Sequence, residues 1–282
     1  MYTFLAENDK KERLRLTNSS EYDLTAVEGL LPPQKSISTI TATKKDGSVV
    51  TNTRVSDRIL TLVIVPRAPI EENRQRLYKY FPLKKEITLY YSNRNRDVKI
   101  SGIVETIDGS LFDLKQTITI SIRCSNPYFE AADGATEQMA RVKDNFEFPF
   151  AISEEGKEFS IIDEFMTAII TNSGDIETGL TIELDARATV INPTIYNVDT
   201  REALKIVGTL QPGDLLSIYT ETGSKRIELI RNGISSNAIN MIGKDSDWLT
   251  LYSGSNTFTY EAEQGEDNLK VNFYYSIKFE GV

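Results

Sequence analysis

From Ile87 to Cys124 apolar and polar positions alternate in two separate runs. Ile87, Leu89 and Tyr91 alternate with Thr88 and Tyr90, and Ile118, Ile120, Ile122 and Cys124 alternate with Thr117, Thr119, Ser121 and Arg123. Side chains two apart share one face of a pleated strand, so each run predicts a half-buried strand. Just upstream the period lengthens: Ile70, Leu77 and Phe81 fall on one face of a helix over 69–80. Pro69 suits its first turn, Glu71 and Glu72 suit its positive end, and Pro82 stops it. Ser92-Asn93-Arg94-Asn95 is turn chemistry leading into a strand from Val98 to Val104. The block from Arg76 to Glu105 therefore reads as helix, hairpin, strand.

Elsewhere the pattern is also of short strands. Leu14–Thr17 and Tyr22–Leu24 flank Asn18-Ser19-Ser20 as a hairpin, Lys44-Lys45-Asp46-Gly47-Ser48 turns into Val49, and Ile59–Val65 is an apolar strand. From Asn126 to Phe150 no period is sustained, which places a domain junction near 130–150 and divides the chain into domains 1–140 and 141–282. Beyond it, strands are expected at Met166–Ile170, Leu180–Leu184, Leu204–Val207, Leu215–Tyr219, Ile227–Ile230, Trp248–Tyr252, Phe258–Tyr260 and Val271–Phe279. Turn residues separate them at Asn172–Asp175, Gln211–Asp214, Glu221–Ser224 and Arg231–Gly233, the spacing of a β-sandwich. The fold class is mainly β: an N-terminal β-rich domain with one helix, then a sandwich.

Composition fits this division. The 282 residues, 40% of them hydrophobic, can fill two cores. No apolar run approaches the length of a membrane span, and the N-terminus turns charged at once, so a protein made in the cytoplasm without membrane insertion is expected. Residues 1–130 hold 20 Lys+Arg against 16 Asp+Glu, and residues 131–282 hold 12 against 25; a charge of +4 precedes one of −13. The acidic half opposes nucleic-acid binding, which needs positive charge against phosphates, and no sequence-specific contact with nucleic acid is expected.

Chemistry is sparse. The absence of histidine excludes Ser-His-Asp and Cys-His arrangements, and one cysteine excludes a disulfide framework and a structural zinc site. Cys124 reads as a buried small hydrophobe. No phosphate-binding glycine motif is present. The 41 Asp+Glu offer too many pairs for any to mark a glycosidase. Asp245 and Asp247 lack the Gly and terminal Glu of a calcium loop, and Glu154, Glu155 and Glu158 read as a charged turn. No enzyme activity, cofactor or metal is expected. Arg74, Arg76, Lys79, Lys84 and Lys85 gather around the helix, as a solvated face or as a basic patch toward a neighbour or a channel. Tyr196, Tyr252, Tyr260, Tyr274 and Tyr275 are either an aromatic surface or ordinary strand residues.

The order of these elements carries a resemblance. Tyr80-Phe81-Pro82 with Lys84 and Lys85, a strand, Asn95-Arg96-Asp97, and a strand running into Cys124-Ser125-Asn126-Pro127-Tyr128-Phe129 resemble the distal tail protein (Dit) family of long-tailed phages. Gly29-Leu30, Pro32-Pro33, Asp46-Gly47-Ser48, Arg54-Val55, Ser173-Gly174-Asp175, Thr178-Gly179, Gly213-Asp214 and Ser253-Gly254-Ser255-Asn256 extend it over most of the chain. The resemblance implies a ring-forming first domain and a galectin-like jelly-roll sandwich behind it. It implies a structural component of the virion tail tip, a homo-oligomer forming a hexameric ring. Its partners would be the tail tube protein, a tail-associated hub protein, and receptor-binding or baseplate proteins. Val49–Val65 and Ile87–Tyr91 are expected at the ring interface, because their apolar content exceeds the needs of one small core. The alternative is a carbohydrate-binding host-receptor adhesin. Trp248, the only tryptophan, lies where galectin-like lectins place a sugar-stacking aromatic. A half-buried strand residue is the preferred reading, since true galectins add a His and an Asn-Arg set that this chain does not supply.

Overall fold

The structure, a computed structural model, describes residues 2–41, 46–113, 115–139 and 167–282. The turn residues Lys44 and Lys45, the charged Glu154, Glu155 and Glu158, and most of the expected 130–150 junction lie outside the described residues. The chain forms two units: Met1–Asp133 together with Lys278–Val282, and Gly134–Ile277. A single cut does not divide it, because the last five residues return to the first unit.

In chain order the first unit contains β1 (Thr3–Glu7), β2 (Arg13–Arg15), β3 (Tyr22–Glu28), β4 (Lys35–Ile40), β5 (Val49–Val55), β6 (Arg58–Pro66), α1 (Ile70–Tyr80), β7 (Glu86–Ser92), β8 (Asp97–Gly109), β9 (Ile118–Cys124) and β10 (Phe129–Ala131). An antiparallel sheet runs in the order β2-β1-β7-β8-β9-β6-β3. The period-two pattern explains the inner strands. Leu60, Leu62 and Ile64 of β6, Ile118, Ile120 and Ile122 of β9, and Ile87 and Leu89 of β7 point to one face and share a core with Leu77, Tyr80 and Phe81 at the end of α1. Tyr22 secures the helix from the sheet edge, its hydroxyl donating to the Asn73 carbonyl at 3.0 Å. Burial pushes that phenol up to about 12.

Two expectations fail here. Leu14–Thr17 and Tyr22–Leu24 do not form a hairpin: β2 and β3 lie at opposite edges of the sheet. The hairpin partner of β2 is β1, joined by a turn in which Asn8 Oδ1 accepts the Lys10 and Glu12 amides, so Asn18-Ser19-Ser20 begins a crossing rather than a tight turn. The expected strand Val271–Phe279 is two strands, Leu269–Tyr275 in the second unit and Lys278–Phe279 in the first.

The second unit is a sandwich around one core. One sheet runs Ala135–Met139, Leu269–Tyr275, Thr178–Ala186, Leu215–Tyr219, Arg226–Arg231, Ile234–Asn237, and the other runs Thr167–Asn172, Gly254–Glu261, Thr194–Asn197, Glu202–Lys205. Leu180, Ile182, Leu184, Val271 and Phe273 of the first pack with Ile170, Ile195, Leu204, Phe258 and Tyr260 of the second. Phe258 and Phe273 meet with ring centroids 5.0 Å apart. The turns are those the residues dictate: Asn232 and Gly233 both take positive φ between Arg231 and Ile234, the geometry of a two-residue hairpin.

Leu62 is fully buried and Val50 is 56% exposed. Leu62→Ala should lower unfolding free energy by about 2–5 kcal/mol, whereas Val50→Ala should stay within about 0.5 kcal/mol, read from urea denaturation. Arg13 at 2.7 Å and Lys11 at 3.1 Å hold the buried Glu7 carboxyl below the usual carboxylate range. Its stabilisation is present above the unfolded value, near about 4.3, and is lost as pH falls through the lower folded value. Glu7→Gln should therefore flatten the acid limb of thermal stability measured from pH 6 to pH 3.

Candidate oligomerisation site

Among the described residues the strands β4 and β5 pair only with each other. Their β-branched residues favour extended chain, and Ser56 N to Gln34 O at 3.0 Å extends the ladder toward the hairpin's base. Yet every described residue from Lys35 to Ile40 and from Val49 to Arg54 is exposed. Ile37, Ile40, Val49 and Val50 are 57, 63, 69 and 56% exposed, with Ile40 directly opposite Val49. A lone two-stranded hairpin is marginal in water, and this one offers apolar side chains and two open edges to a partner. In the other segments expected at an interface, Leu60, Leu62 and Ile64 of β6 and Ile87 and Leu89 of β7 are core residues, while Ile59 of β6 is 45% exposed.

Both roots of the hairpin are tied by one side chain. Arg58, the first residue of β6, shares the core-facing parity of Leu60, Leu62 and Ile64 and is 3% exposed. Its Nε donates to the Pro127 carbonyl at 2.6 Å, its Nη1 to the carbonyls of Leu31 at 2.7 Å and Gly29, and its Nη2 to that of Glu280. The guanidinium lies 4.6 Å from the centre of the Phe129 ring. Burial among main-chain carbonyls lowers its pKa, although an arginine of this kind stays charged at any working pH. Gly29 is required beside it: φ is +88°, and a Cβ would stand 2.2 Å from the Ile59 carbonyl oxygen.

The chain's last residues complete this arrangement. Lys278–Phe279 pairs with β10, Phe129 opposite Phe279 and Glu130 opposite Lys278. Val282 N donates to Leu30 O at 3.2 Å, and Arg96 donates to the Gly281 carbonyl with its guanidinium 4.4 Å from the Phe279 ring centre. Sequence reading missed Arg58 by starting the strand at Ile59; the signal was its parity with the apolar row that follows.

The remaining candidates disperse. Arg74, Arg76 and Lys79 pair with Glu71, Glu21 and Glu12, so the basic cluster on α1 is largely neutralised, while Lys84 and Lys85 are exposed. Trp248 is half-buried against the sandwich core with the Lys225 ammonium 5.5 Å from its ring centre. The Asp247 amide donates to the Ala203 carbonyl and its carboxylate accepts the Ala203 amide, and with Ser246 and Gly243 on Lys205 the loop covers the edge strand Glu202–Lys205. The five tyrosines do not share a surface: Tyr260 is buried with its hydroxyl on Leu269 O, and Tyr252 donates to Glu202 at 2.8 Å, a bond that pushes its phenol up to about 12. Cys124 is buried, its thiol pushed up to about 12 by desolvation. Among the described residues no three His, Cys, Asp or Glu side chains converge as a metal site requires, and no helix is long and apolar enough to cross a membrane.

Residues 173–279 match the family described as siphovirus-type tail component, C-terminal domain. A comparison with curated proteins returns no match. Among solved structures, the Dit protein of phage SPP1, described as a paradigm of the hub adsorption apparatus in phages infecting Gram-positive bacteria, is 15% identical with a TM-score of 0.68 over 98% of this chain and 99% of its own. A chain of the phage P2 baseplate in its activated conformation with calcium is 12% identical, with a TM-score of 0.60 over the full length of both. The corresponding strontium structure gives 10% and 0.59. Residues 173–279 thus match the model of the siphovirus-type tail component, C-terminal domain, and the chain from end to end shares the fold of the SPP1 Dit protein.

Proposed function

We propose that this protein is a structural subunit of a phage tail tip, a distal tail protein whose copies close into a ring and join the tail tube to the baseplate and host-adhesion apparatus. The observation that carries the reading is the end-to-end likeness to the SPP1 protein together with the tail-component family match over residues 173–279. The role asks for binding surface rather than reacting groups, in keeping with a chain that has no histidine and a buried, undissociated thiol.

The first unit closes the ring, six copies in the finished assembly, and the exposed β4–β5 hairpin of each copy lies against its neighbour. Cyclic symmetry repeats one heterologous interface, so a modest gain at each contact is multiplied around the circle. A stable interface of this kind buries upwards of roughly 1,000 Å², and covering the four exposed Ile and Val side chains of the hairpin begins it without drawing on the core. The acidic second unit faces baseplate or adhesion partners.

Native mass spectrometry and negative-stain imaging of the purified chain should show a ring with a central channel. Val50→Glu places a charge on the exposed hairpin and should shift the chain to folded monomers, with far-UV circular dichroism unchanged. Monomer alone at every concentration, with no assembly on adding tail tube or baseplate partners, overturns the proposal.

A further inference from the structure

We propose that Arg58 and the returning segment Phe279–Val282 form a clasp that sets the β4–β5 hairpin for assembly. The inference rests on the ring reading for its assembly arm alone.

The geometry is specific to the hairpin's two roots. Gly29 and Leu31 precede β4, and Arg58 follows β5; the same guanidinium grips the first root through two carbonyls while itself forming the second. Its remaining bonds reach Pro127, at the entry to β10, and Glu280, just past the strand Lys278–Phe279. The tail adds its own bond to the first root, Val282 N to Leu30 O, and Arg96 holds Gly281. Without the tail, Arg58 Nη2 loses the Glu280 acceptor, Leu30 O loses the Val282 amide, and β10 keeps β8 but loses its second partner strand. A buried guanidinium short of an acceptor is costly, so Arg58 turns toward water and releases Gly29 and Leu31. The hairpin remains paired but loses its fixed root.

The consequence lies in direction: with Phe279–Val282 undocked, the exposed apolar hairpin has no fixed orientation in which to meet a neighbour.

The test compares the full chain with a variant lacking Glu280–Val282 and with Arg96→Gln, by hydrogen–deuterium exchange and native mass spectrometry. In the shortened chain, protection in β6 and β9 should persist, while exchange at the two roots, Gly29–Gln34 and Ser56–Asp57, should rise at least about tenfold, the scale of one lost charge-assisted hydrogen bond. Its assembly concentration should rise by a similar factor. Unchanged exchange at both roots overturns the clasp, whatever the oligomeric state. If the full chain itself never assembles, the ring reading fails while the exchange comparison still decides the clasp. If the shortened chain loses protection throughout, Arg96→Gln decides, since it loosens Gly281 and Phe279 and leaves Arg58 in place: faster exchange at the roots supports the clasp and unchanged exchange overturns it.

Discussion

A buried guanidinium that satisfies itself on main-chain carbonyls is the constraint around which the first unit is arranged. Carbonyl acceptors belong to backbone, so Arg58 fixes the paths of chain segments rather than the rotamers of side chains. Three separate segments, at Gly29–Leu31, Pro127 and Glu280, are brought to one point by its donors. Each lies far from the others in sequence, and each is a place where the chain enters or leaves an element. The sheet could hold its apolar rows without this residue. It could not also specify where the hairpin leaves the sheet and where the last strand returns.

Local periodicity made the elements legible where one rule governed them. The helix with Leu77 and Phe81 on one face, and the strand Ile118–Cys124 with alternate residues buried, follow from spacing because burial is one-sided in both. Pairing was less legible. Leu14 and Tyr22 each alternate correctly, yet nothing local reveals that their strands sit at opposite sheet edges, because long-range order is set by which apolar rows meet and not by the short turn between them. The break after Tyr275 was hidden for a related reason. Tyr275 and Phe279 look like one aromatic strand, and only a change of partner separates them.

The site was legible in part. Apolar content in Val49–Val65 pointed to surface beyond a core, and the structure divides that content, giving Val49 and Val50 to solvent and Leu60, Leu62 and Ile64 to the interior. A charge at a core position is the kind of exception that pattern reading tends to discard. Arg58 shows why such an exception repays attention: its parity was that of the core, and its chemistry was that of a junction.

The pairing of Phe129 with Phe279 also bears on how such a protein can change over evolutionary time. Adjacent antiparallel strands lie about 4.8 Å apart, so the chain departs for its inserted unit and comes back through a doorway one strand spacing wide. Any compact domain whose own ends lie close together meets the same requirement. The first unit can thus keep its sheet, its hairpin and its internal ties while the sequence between 134 and 277 is exchanged, enlarged or duplicated. A lineage could vary the insert as a cassette, leaving the scaffold that receives it unaltered.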